Sequence, residues 1–451
     1  MRYRIEKDLL GQRQVPAEAY YGIETLRGKE NFEITKRGIC RQMIKALAIV
    51  KKAAAKANVD ALNIDEKVGK AIMLACDEIL NGRLHGQFVT DLIQGGAGTS
   101  MNMNANEVIA NRANELLGGK KGVYDFVHPN DHVNFGQSTN DVIQTAGKIA
   151  IVKQLKKLQV ELKKLYNAYL NKATEFKDVI KMGRTHLQEA LPLRLGQEFS
   201  AYASALNRDM KRIDVAIEAL LEVNMGATAI GTSLNANEKY RKKVIYYLNK
   251  FSGEQIKPAK DLIDATRNFD TFGQASSTLK LLALNLSKTA SDLRLMASSG
   301  SNGFSEITLP HVQPGSSIMP GKYNPVVPEM VNQVCFYVIG LDVTITKAIE
   351  AGQLELNVFG PIILMSLFEQ ITTLRRATRT FHNLAISGLI ANTTKYKTDN
   401  SIYLITALSP HLGHEEACNV VNEAISSEKT IKQVLFCLLY TSDAADEGLG
   451  V

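Results

Sequence analysis

Apolar side chains recur every three or four positions along several stretches of the chain. In residues 149–169 one apolar stripe covers about six helical turns, and lysines occupy the opposite face. Shorter stripes run through residues 43–54 and 279–296. Because alternation with a period of two is scarce, the pattern predicts a largely helical protein with several long helices. Long helices of this kind often pack into a bundle that subunits share.

Proline placement separates these helices from one long loop. Residues 130–191 and 193–257 contain no proline, which permits long helices, whereas five of the 11 prolines lie within residues 310–328. A loop of roughly thirty residues is therefore predicted between a helix that ends near Ala297 and one that begins near Glu329. Loops longer than about 15 residues in compact domains are usually functional or disordered. Because this loop carries apolar side chains that a solvated linker would not need, we interpret it as functional.

Composition and charge exclude several classes of protein. Hydrophobic residues make up 45% and charged residues 22% of the 451 residues, which is ordinary for a globular protein. The net charge of +7 is spread along the chain and gives no argument for DNA binding. Five widely spaced cysteines without a Cys-x-x-Cys pair predict reduced thiols and a cytoplasmic location. The charged N-terminus and the lack of a long apolar run predict neither a signal peptide nor a membrane span.

Four segments combine glycine with small hydroxyl or amide side chains between helical stretches. Such side chains, with backbone N–H groups freed by glycine, suit a carboxylate cradle. Helix capping is the alternative for any single segment, because Ser, Thr and Asn are common at N-caps. Four together favour a binding site. The segments are GGAGTSMNMN (95–104), NFGQSTND (134–141), MGRTHLQEALP (182–192) and GSSIMPGKYNP (315–325).

Other ligand motifs are absent or weak. GGAGTS lacks the spacing of a phosphate-binding loop, and no GxGxxG motif occurs there. His411 and His414 are spaced as metal ligands on one helix could be. Ser409-Pro410 before them and Glu415-Glu416 after them indicate a helix start instead, so no metal is expected.

The four segments carry a resemblance to a known family. GSSIMPGKYNP is close to the signature GSSxMPxKxNP of the aspartase/fumarase superfamily, and the other three segments resemble its remaining conserved regions in the same order. The resemblance covers roughly residues 1–434. Within the superfamily the chain is most similar to the aspartate ammonia-lyases, since it has GQSTND where a fumarase more typically has SQSSND.

The resemblance implies an all-α subunit of three domains. These are an N-terminal helical domain (1–140), a central bundle of long helices (141–395) and a small C-terminal helical domain (396–451). Four subunits would pair their bundles into a homotetramer, and each active site would take segments from three subunits. The implied chemistry needs no metal or organic cofactor. The partner is a small-molecule substrate, and neither nucleic acid nor membrane is expected.

The reaction implied by the resemblance is the reversible deamination of L-aspartate to fumarate and ammonia. Removing the weakly acidic proton gives a doubly charged enediolate, whose charge must be met by fixed donors. By motif position these donors are Thr99, Ser138, Thr139 and Ser317.

The remaining site residues are also carried over by resemblance. The base is Ser316, which must lose its proton to backbone N–H groups and a nearby cation once loop closure excludes water. The α-carboxylate would be bound by Lys322 and Asn324, with Thr185. The leaving amino group would contact Asn140 and His186, and Glu329 would pair with His186.

The chain departs from the family pattern at four places. Tyr323 replaces the usual Val, Met101 the usual Thr or Val, and Gly360 a more typical charged residue. From about Leu435 the sequence FCLLYTSDAADEGLGV looks unrelated to what precedes it. It shows no clear amphipathic repeat, so this end is expected to be mobile.

Three alternative functions stay open at this point. The first is a class II fumarate hydratase, which adds water where the main hypothesis adds ammonia. The second is a non-catalytic helical scaffold, against which Ser316, Lys322 and Asn324 argue. The third is a basic nucleic-acid binder, which would need a concentrated basic stripe with aromatic residues, and the sequence has none.

Overall fold

The computed structural model describes residues 2–299, 303–393 and 404–446, which form fourteen α-helices and eight short strands. The helices are α1 (Ile23–Asn31), α2 (Arg41–Asp60), α3 (Glu66–Leu80), α4 (Thr99–Leu116), α5 (Thr139–Glu175), α6 (Leu195–Leu220), α7 (Glu238–Ser252), α8 (Leu262–Arg267), α9 (Asp270–Met296), α10 (Val326–Glu350), α11 (Gly360–Phe381), α12 (Ile405–Leu412), α13 (His414–Ser426) and α14 (Ile431–Asp446). The strands are β1 (Tyr3–Asp8), β2 (Gly11–Pro16), β3 (Ile180–Thr185), β4 (Gln188–Arg194), β5 (Glu222–Val223), β6 (Lys257–Pro258), β7 (Ile307–Thr308) and β8 (Ile390–Ala391).

The predicted long helices are confirmed. α5 has 37 residues, and the apolar stripe predicted at residues 149–169 is buried along its whole length. The stripe of residues 279–296 is buried in α9 and that of residues 43–54 in α2. The spacing of apolar residues therefore placed both the helices and their buried faces.

The strands were not predicted. They form four two-stranded sheets, of which β1–β2, β3–β4 and β7–β8 are antiparallel and β5–β6 is parallel. Four of the eight strands, β5 to β8, are only two residues long, and the side chains of β4 are mostly exposed, so alternation of buried and exposed residues is weak. The all-α class holds, because the sheets are small additions to a helical protein.

The described loop between α9 and α10 agrees with the loop predicted from the prolines, although α10 begins three residues before Glu329. The early start places Pro328 in the first turn of the helix. Proline is tolerated there because the N–H that it lacks has no partner within the helix. The prolines therefore locate the loop correctly, but they do not locate the first residue of the helix that follows it.

The chain divides into two compact units. Unit 1 comprises Met1–Glu161, Asp209–Leu284 and Val334–Arg376, and unit 2 comprises Leu162–Arg208, Asn285–Gln333 and Ala377–Val451. The long helices α5, α6, α9, α10 and α11 each contribute residues to both. The three-domain division expected from the sequence stays a prediction.

The expectation that no amphipathic repeat continues past about Leu435 is wrong for the described part of that segment, while its mobility stays a prediction. α14 continues to Asp446, and Leu435 and Leu438 pack against a C-terminal apolar cluster that includes Ile431 and Val434. The four apolar positions recur at helical spacing, which gives the extension a buried face. Residues 447–451 lie outside the described residues.

Candidate active site

In unit 1, two helices begin close to one another. α4 starts at Thr99 and α5 starts at Thr139. The side-chain nitrogen of Asn102, in the first turn of α4, donates a hydrogen bond of 3.2 Å to the hydroxyl of Thr139. Gly98, at a φ of +95°, supplies the left-handed turn from which α4 starts. Helix N-termini present unpaired N–H groups and partial positive charge, so this region of unit 1 suits a carboxylate.

Asp141 lies fully buried behind Ser138. Its carboxylate accepts from the backbone N–H groups of Ser138 at 3.0 Å, Gly226 at 3.1 Å and Thr228 at 3.0 Å. Burial raises the pKa of Asp141 to about 6, and the three backbone donors oppose that rise. Asp141 therefore ties the start of α5 to the segment that follows β5, and it holds Ser138 in place.

Asn140 is oriented by its own hydrogen bonds. Its backbone N–H donates to the Ser138 hydroxyl at 3.2 Å, and its side-chain nitrogen donates to the carbonyl of Ala229 at 2.7 Å. The amide oxygen is then the atom that can accept from a substrate amino group. Ser138 and Thr139 line a cavity of about 980 Å³ in the same unit.

A buried lysine supports this region and was missed by the sequence analysis. Lys51, on α2, donates to the side-chain oxygens of Asn134 at 2.8 Å and Gln137 at 3.0 Å. The same Asn134 oxygen accepts from Asn102 at 3.2 Å, which continues the network toward Thr139. Burial lowers the pKa of Lys51 to about 7. The sequence does indicate that this lysine is buried, because Lys51 falls on the apolar face of α2, four residues after Leu47.

In unit 2, Thr185 and His186 lie at the tip of the β3–β4 hairpin. Thr185 ends β3 and pairs with Gln188, and the two residues between them form the turn. His186 has φ +56° and Leu187 has φ +61°, which is the backbone of a type I′ turn. Left-handed backbone at residues other than glycine costs roughly 1–2 kcal/mol per residue. The strained turn presents the imidazole on an exposed tip.

Buried charges anchor this hairpin, and the sequence analysis missed them as well. Lys181, in β3, forms an ion pair of 2.6 Å with Glu306, and both side chains are buried. Arg184 contacts the same carboxylate and stacks its guanidinium on the ring of Phe304 at 4.2 Å. Removing one partner of such a buried pair leaves an uncompensated charge. The hairpin is thereby held to the chain just before β7.

Ser316 lies on the segment that we term the serine loop (residues 311–325). Its hydroxyl oxygen accepts from the backbone N–H groups of Ile318 at 3.2 Å and Met319 at 3.1 Å. Hydrogen bonds donated to an oxygen favour its charged form. Two backbone donors on Ser316 are therefore what an alkoxide needs.

The two ends of the serine loop are joined by polar contacts. The backbone N–H of Gly315 donates to the carbonyl of Lys322 at 2.8 Å, and the side chain of Asn324 donates to the carbonyl of Gly315 at 2.7 Å. Ser317 and the Lys322 side chain are exposed, while Asn324 is half-buried. Lys322 and Asn324 also line a cavity of about 420 Å³ in unit 2, to which Arg294 contributes.

The predicted site residues therefore fall into two groups. Unit 1 holds Thr99, Ser138, Thr139 and Asn140. Unit 2 holds Thr185, His186, Ser316, Ser317, Lys322, Asn324 and Glu329. Glu329 lies in the first turn of α10, and over the residues that the structure describes no ion pair joins it to His186 within the single chain. That pairing stays a prediction.

The departures from the family pattern have ordinary structural surroundings. Met101 is buried in α4, and its backbone N–H donates to the side chain of Gln94 at 3.0 Å. Gly360 begins α11, and a β-carbon there would lie in normal contact with the ring of Phe269 at 3.4 Å. Tyr323 stacks on His311.

The two histidines considered as metal ligands lie on different helices. His411 is in the last turn of α12, and His414 begins α13. The helix start expected at Ser409-Pro410 is wrong, because Pro410 lies inside α12 and the next helix begins only at His414. Across residues 2–299, 303–393 and 404–446, no group of three or more His, Cys, Asp or Glu side chains is placed to hold a metal.

Comparison with known proteins gives matches along nearly the whole chain. The profile of a family described as Lyase matches residues 11–340. An aspartate ammonia-lyase of Bacillus subtilis (strain 168) is 52% identical over 434 residues, which cover 96% of this chain and 91% of the relative. The crystal structure of fumarate lyase:delta crystallin from Brucella melitensis bound to cobalt has a TM-score of 0.94 at 45% identity, covering 97% of this chain and 96% of that one. The crystal structure of recombinant class II fumarase from Schistosoma mansoni has a TM-score of 0.94 at 35% identity, covering 97% and 95%.

Proposed function

Because the chain belongs to the aspartase/fumarase superfamily of lyases, we propose that it removes ammonia from L-aspartate to give fumarate, and that it catalyses the reverse addition. The similarity to an aspartate ammonia-lyase extends over nearly its whole length. The enzyme is a carbon–nitrogen lyase that acts on a small dicarboxylate substrate.

The first chemical problem is the charge that develops on the substrate. Proton removal beside the side-chain carboxylate turns that group into a doubly charged enediolate, which needs donors that are already in position. Thr99 and Thr139 begin two helices in unit 1, and Ser138 precedes the second. Their hydroxyls and N–H groups are the donors in our proposal, with Ser317 from the serine loop. Asp141 and Asn102 keep them oriented.

The base in our proposal is Ser316. An ordinary serine hydroxyl is too weak an acid to be ionised near neutrality, so its surroundings must stabilise the alkoxide. The N–H groups of Ile318 and Met319 already point at this oxygen. Lys322, across the same loop, adds positive charge. Excluding water on loop closure would strengthen both effects.

The remaining groups bind and release the amino acid. In our proposal Lys322 and Asn324 bind the α-carboxylate, with Thr185 from the hairpin tip. The amino group contacts the amide oxygen of Asn140 and the imidazole of His186, which Glu329 orients. Ser316 takes the proton from the carbon beside the side-chain carboxylate. The electron pair of the enediolate then forms the double bond of fumarate as the C–N bond breaks, and the ammonium group leaves as ammonia. The proton on Ser316 passes to solvent after the product leaves, which restores the base.

We propose further that the active enzyme is a homotetramer in which each site uses segments of several subunits. The long helices expose apolar side chains that water does not favour. An 18-residue window of α10 has a mean hydropathy of 1.3, yet only 39% of it is buried within the chain. Helices of other subunits would cover this surface. The exposed apolar residues on long helices include Val160, Val215, Leu281, Leu284, Phe336, Tyr337 and Val343. Cytoplasmic location and the three-domain division remain proposals from the sequence.

The observation that carries the mechanism is the Ser316 hydroxyl, which accepts two backbone N–H bonds inside the GSSIMPGKYNP loop. The test follows fumarate formation from L-aspartate by its absorbance, with L-malate as the parallel substrate. We expect fumarate to form from aspartate and little fumarate to form from malate. A hydratase would give the opposite preference. In Ser316→Ala the turnover should fall by about 10²–10⁴-fold.

A matched control is available on the surface of α13. Ser426→Ala changes an exposed serine far along the sequence from the motif and should keep full turnover. If Ser316→Ala retained more than about a tenth of wild-type turnover, Ser316 would not be the base. If malate were the better substrate, the enzyme would be a hydratase.

A further inference from the structure

Two aromatic rings lie face to face at the ends of the serine loop. The imidazole of His311 and the phenol of Tyr323 are parallel within 5°, and their centroids are 3.7 Å apart. His311 is exposed and Tyr323 is 50% exposed, so the stack lies at the surface of unit 2. Tyr323 directly follows Lys322, and His311 directly follows Pro310, where the loop leaves β7. The stack therefore joins the two stems of the loop.

Few other contacts close this loop. Between the stacked residues, most positions from Val312 to Gly321 are exposed. The stems are joined by the hydrogen bond from Gly315 to Lys322, and Asn324 adds a second one to Gly315. The approach at Gly315 is close, because a β-carbon there would lie 2.5 Å from the carbonyl oxygen of Lys322. The loop conformation thus depends on a small number of local interactions.

We propose that the stack of His311 on Tyr323 positions the serine loop, and through it Ser316, for proton abstraction. Neither ring is a catalytic residue in this proposal, since both act through the loop that they close. The proposal rests on the proposed role of Ser316.

The physical argument concerns the population of the closed stems. A contact between two aromatic rings shifts the equilibrium between open and closed stems by about two- to tenfold, in addition to the effect of burying the rings. In a packed core such a factor would be one of many. In an exposed loop closed by two hydrogen bonds it is a substantial part of what holds the stems together. Valine, which is usual at position 323 in the family that this chain resembles, has no ring to stack on His311. The contact is therefore a property of the residue pair present in this chain.

The test compares two substitutions of one residue. Tyr323→Val removes the ring, while Tyr323→Phe keeps the ring and removes the hydroxyl. We expect Tyr323→Val to lower kcat for aspartate deamination about two- to tenfold, and Tyr323→Phe to retain wild-type kcat. The KM for aspartate should rise as well, because Lys322 and Asn324 lie on the same stem and bind the α-carboxylate in our proposal, whereas the fall in kcat reports on Ser316. Thermal unfolding should be unchanged in both variants, since the stack is exposed.

Loop closure can be measured without activity. Trypsin can cut after Lys322, and the rate of that cut reports how often the stems open. We expect faster cleavage in Tyr323→Val than in the wild type, and wild-type cleavage in Tyr323→Phe. Tyr246→Val is the control, since Tyr246 is also exposed and beside another ring but lies on α7 in unit 1. It should change neither readout.

A double-mutant cycle separates the stack from other effects of position 323. His311→Ala alone should reproduce the loss seen in Tyr323→Val, and the double variant should lose no more than either single variant. Additive losses, or a wild-type kcat and cleavage rate in Tyr323→Val, would overturn the proposal. If the wild type itself failed to deaminate aspartate, the proposed function would fall, while the cleavage rates would still decide whether the stack closes the loop.

Discussion

The ammonium nitrogen of Lys51 lies 2.8 Å from the side-chain oxygen of Asn134, in the interior of unit 1. No carboxylate accepts a hydrogen bond from this lysine among the described residues, and its second acceptor is the amide oxygen of Gln137. Burial lowers the pKa of Lys51, and the electrostatic influence of Asp141 and Cys76 only partly opposes it. Lys51 is thus a buried lysine whose hydrogen-bond acceptors are neutral, so little compensates the burial that lowers its pKa.

This arrangement predicts a pH-dependent stability. The pKa of Lys51 falls from 10.5 to about 7 in the folded chain. Between these values the unfolded chain binds a proton that the folded chain does not, so the contribution of Lys51 to the free energy of unfolding rises with pH. In Lys51→Met that contribution should vanish, and unfolding in urea at several pH values between 7 and 10 would show a smaller rise than in the wild type.

Lys45→Met is the matched control, because Lys45 lies on the same helix and is only half-buried. It should keep the wild-type pH dependence. At pH 7, Lys51→Met should also lose about 1–3 kcal/mol, since the oxygens of Asn134 and Gln137 lose a buried donor. Identical pH slopes for Lys51→Met and the wild type would contradict the buried-lysine account.

Lys322→Ala should weaken substrate binding more than it slows the chemical step. A carboxylate that loses a charged hydrogen-bond donor loses a strong interaction. We therefore expect a higher KM for aspartate, measured by steady-state fumarate formation. Lys322→Arg should restore binding only in part, because a planar guanidinium differs in shape from a compact ammonium. An unchanged KM in Lys322→Ala would show that Lys322 does not bind the α-carboxylate.

Shared active sites predict complementation between inactive variants. Asn140→Ala changes a residue of unit 1, and Ser316→Ala changes one of unit 2. If each site takes these groups from different subunits, refolding the two variants together should produce some sites with both wild-type residues. Activity should then reappear in the mixture and not in either variant refolded alone. Mixed oligomers without activity would indicate that each site belongs to one chain.

The extent of α14 predicts how the C-terminus responds to shortening. A chain that ends after Leu438 keeps the apolar residues that pack on the C-terminal cluster, whereas a chain that ends after Val434 loses Leu435 and Leu438. We expect the shorter chain to lose about 1–3 kcal/mol of local stability through the lost burial. Faster amide hydrogen exchange in α13 would report it. Equal exchange in the two shortened chains would mean that this part of α14 contributes no stability.

The sequence predicted those features that depend on neighbouring positions. Apolar spacing located α5 and α9, because a buried helical face is a local pattern. The serine loop was visible from its prolines. The hairpin of β3 and β4 was missed, since most side chains of β4 are exposed and show no alternation.

The support of the candidate site was harder to predict, because it depends on residues far apart in the chain. Lys51 meets Asn134 across 83 positions, and Arg184 meets Glu306 across 122. Nothing in the neighbourhood of either residue specifies its partner. Motif resemblance supplied the roles of Ser316 and Lys322, while the ring contact between His311 and Tyr323 required coordinates.

At the hairpin tip, formed by His186 and Leu187, the residues that would make the turn most stable are not the residues that the proposed catalysis needs. Type I′ turns favour asparagine and glycine at both positions, because these residues enter left-handed backbone easily. A laboratory evolution experiment that rewards only heat resistance would therefore accept glycine at both. At Leu187 the exchange would be harmless to the proposed chemistry. At His186 it would relax the turn but remove the imidazole. Only a selection for turnover as well as for heat resistance would therefore keep the histidine.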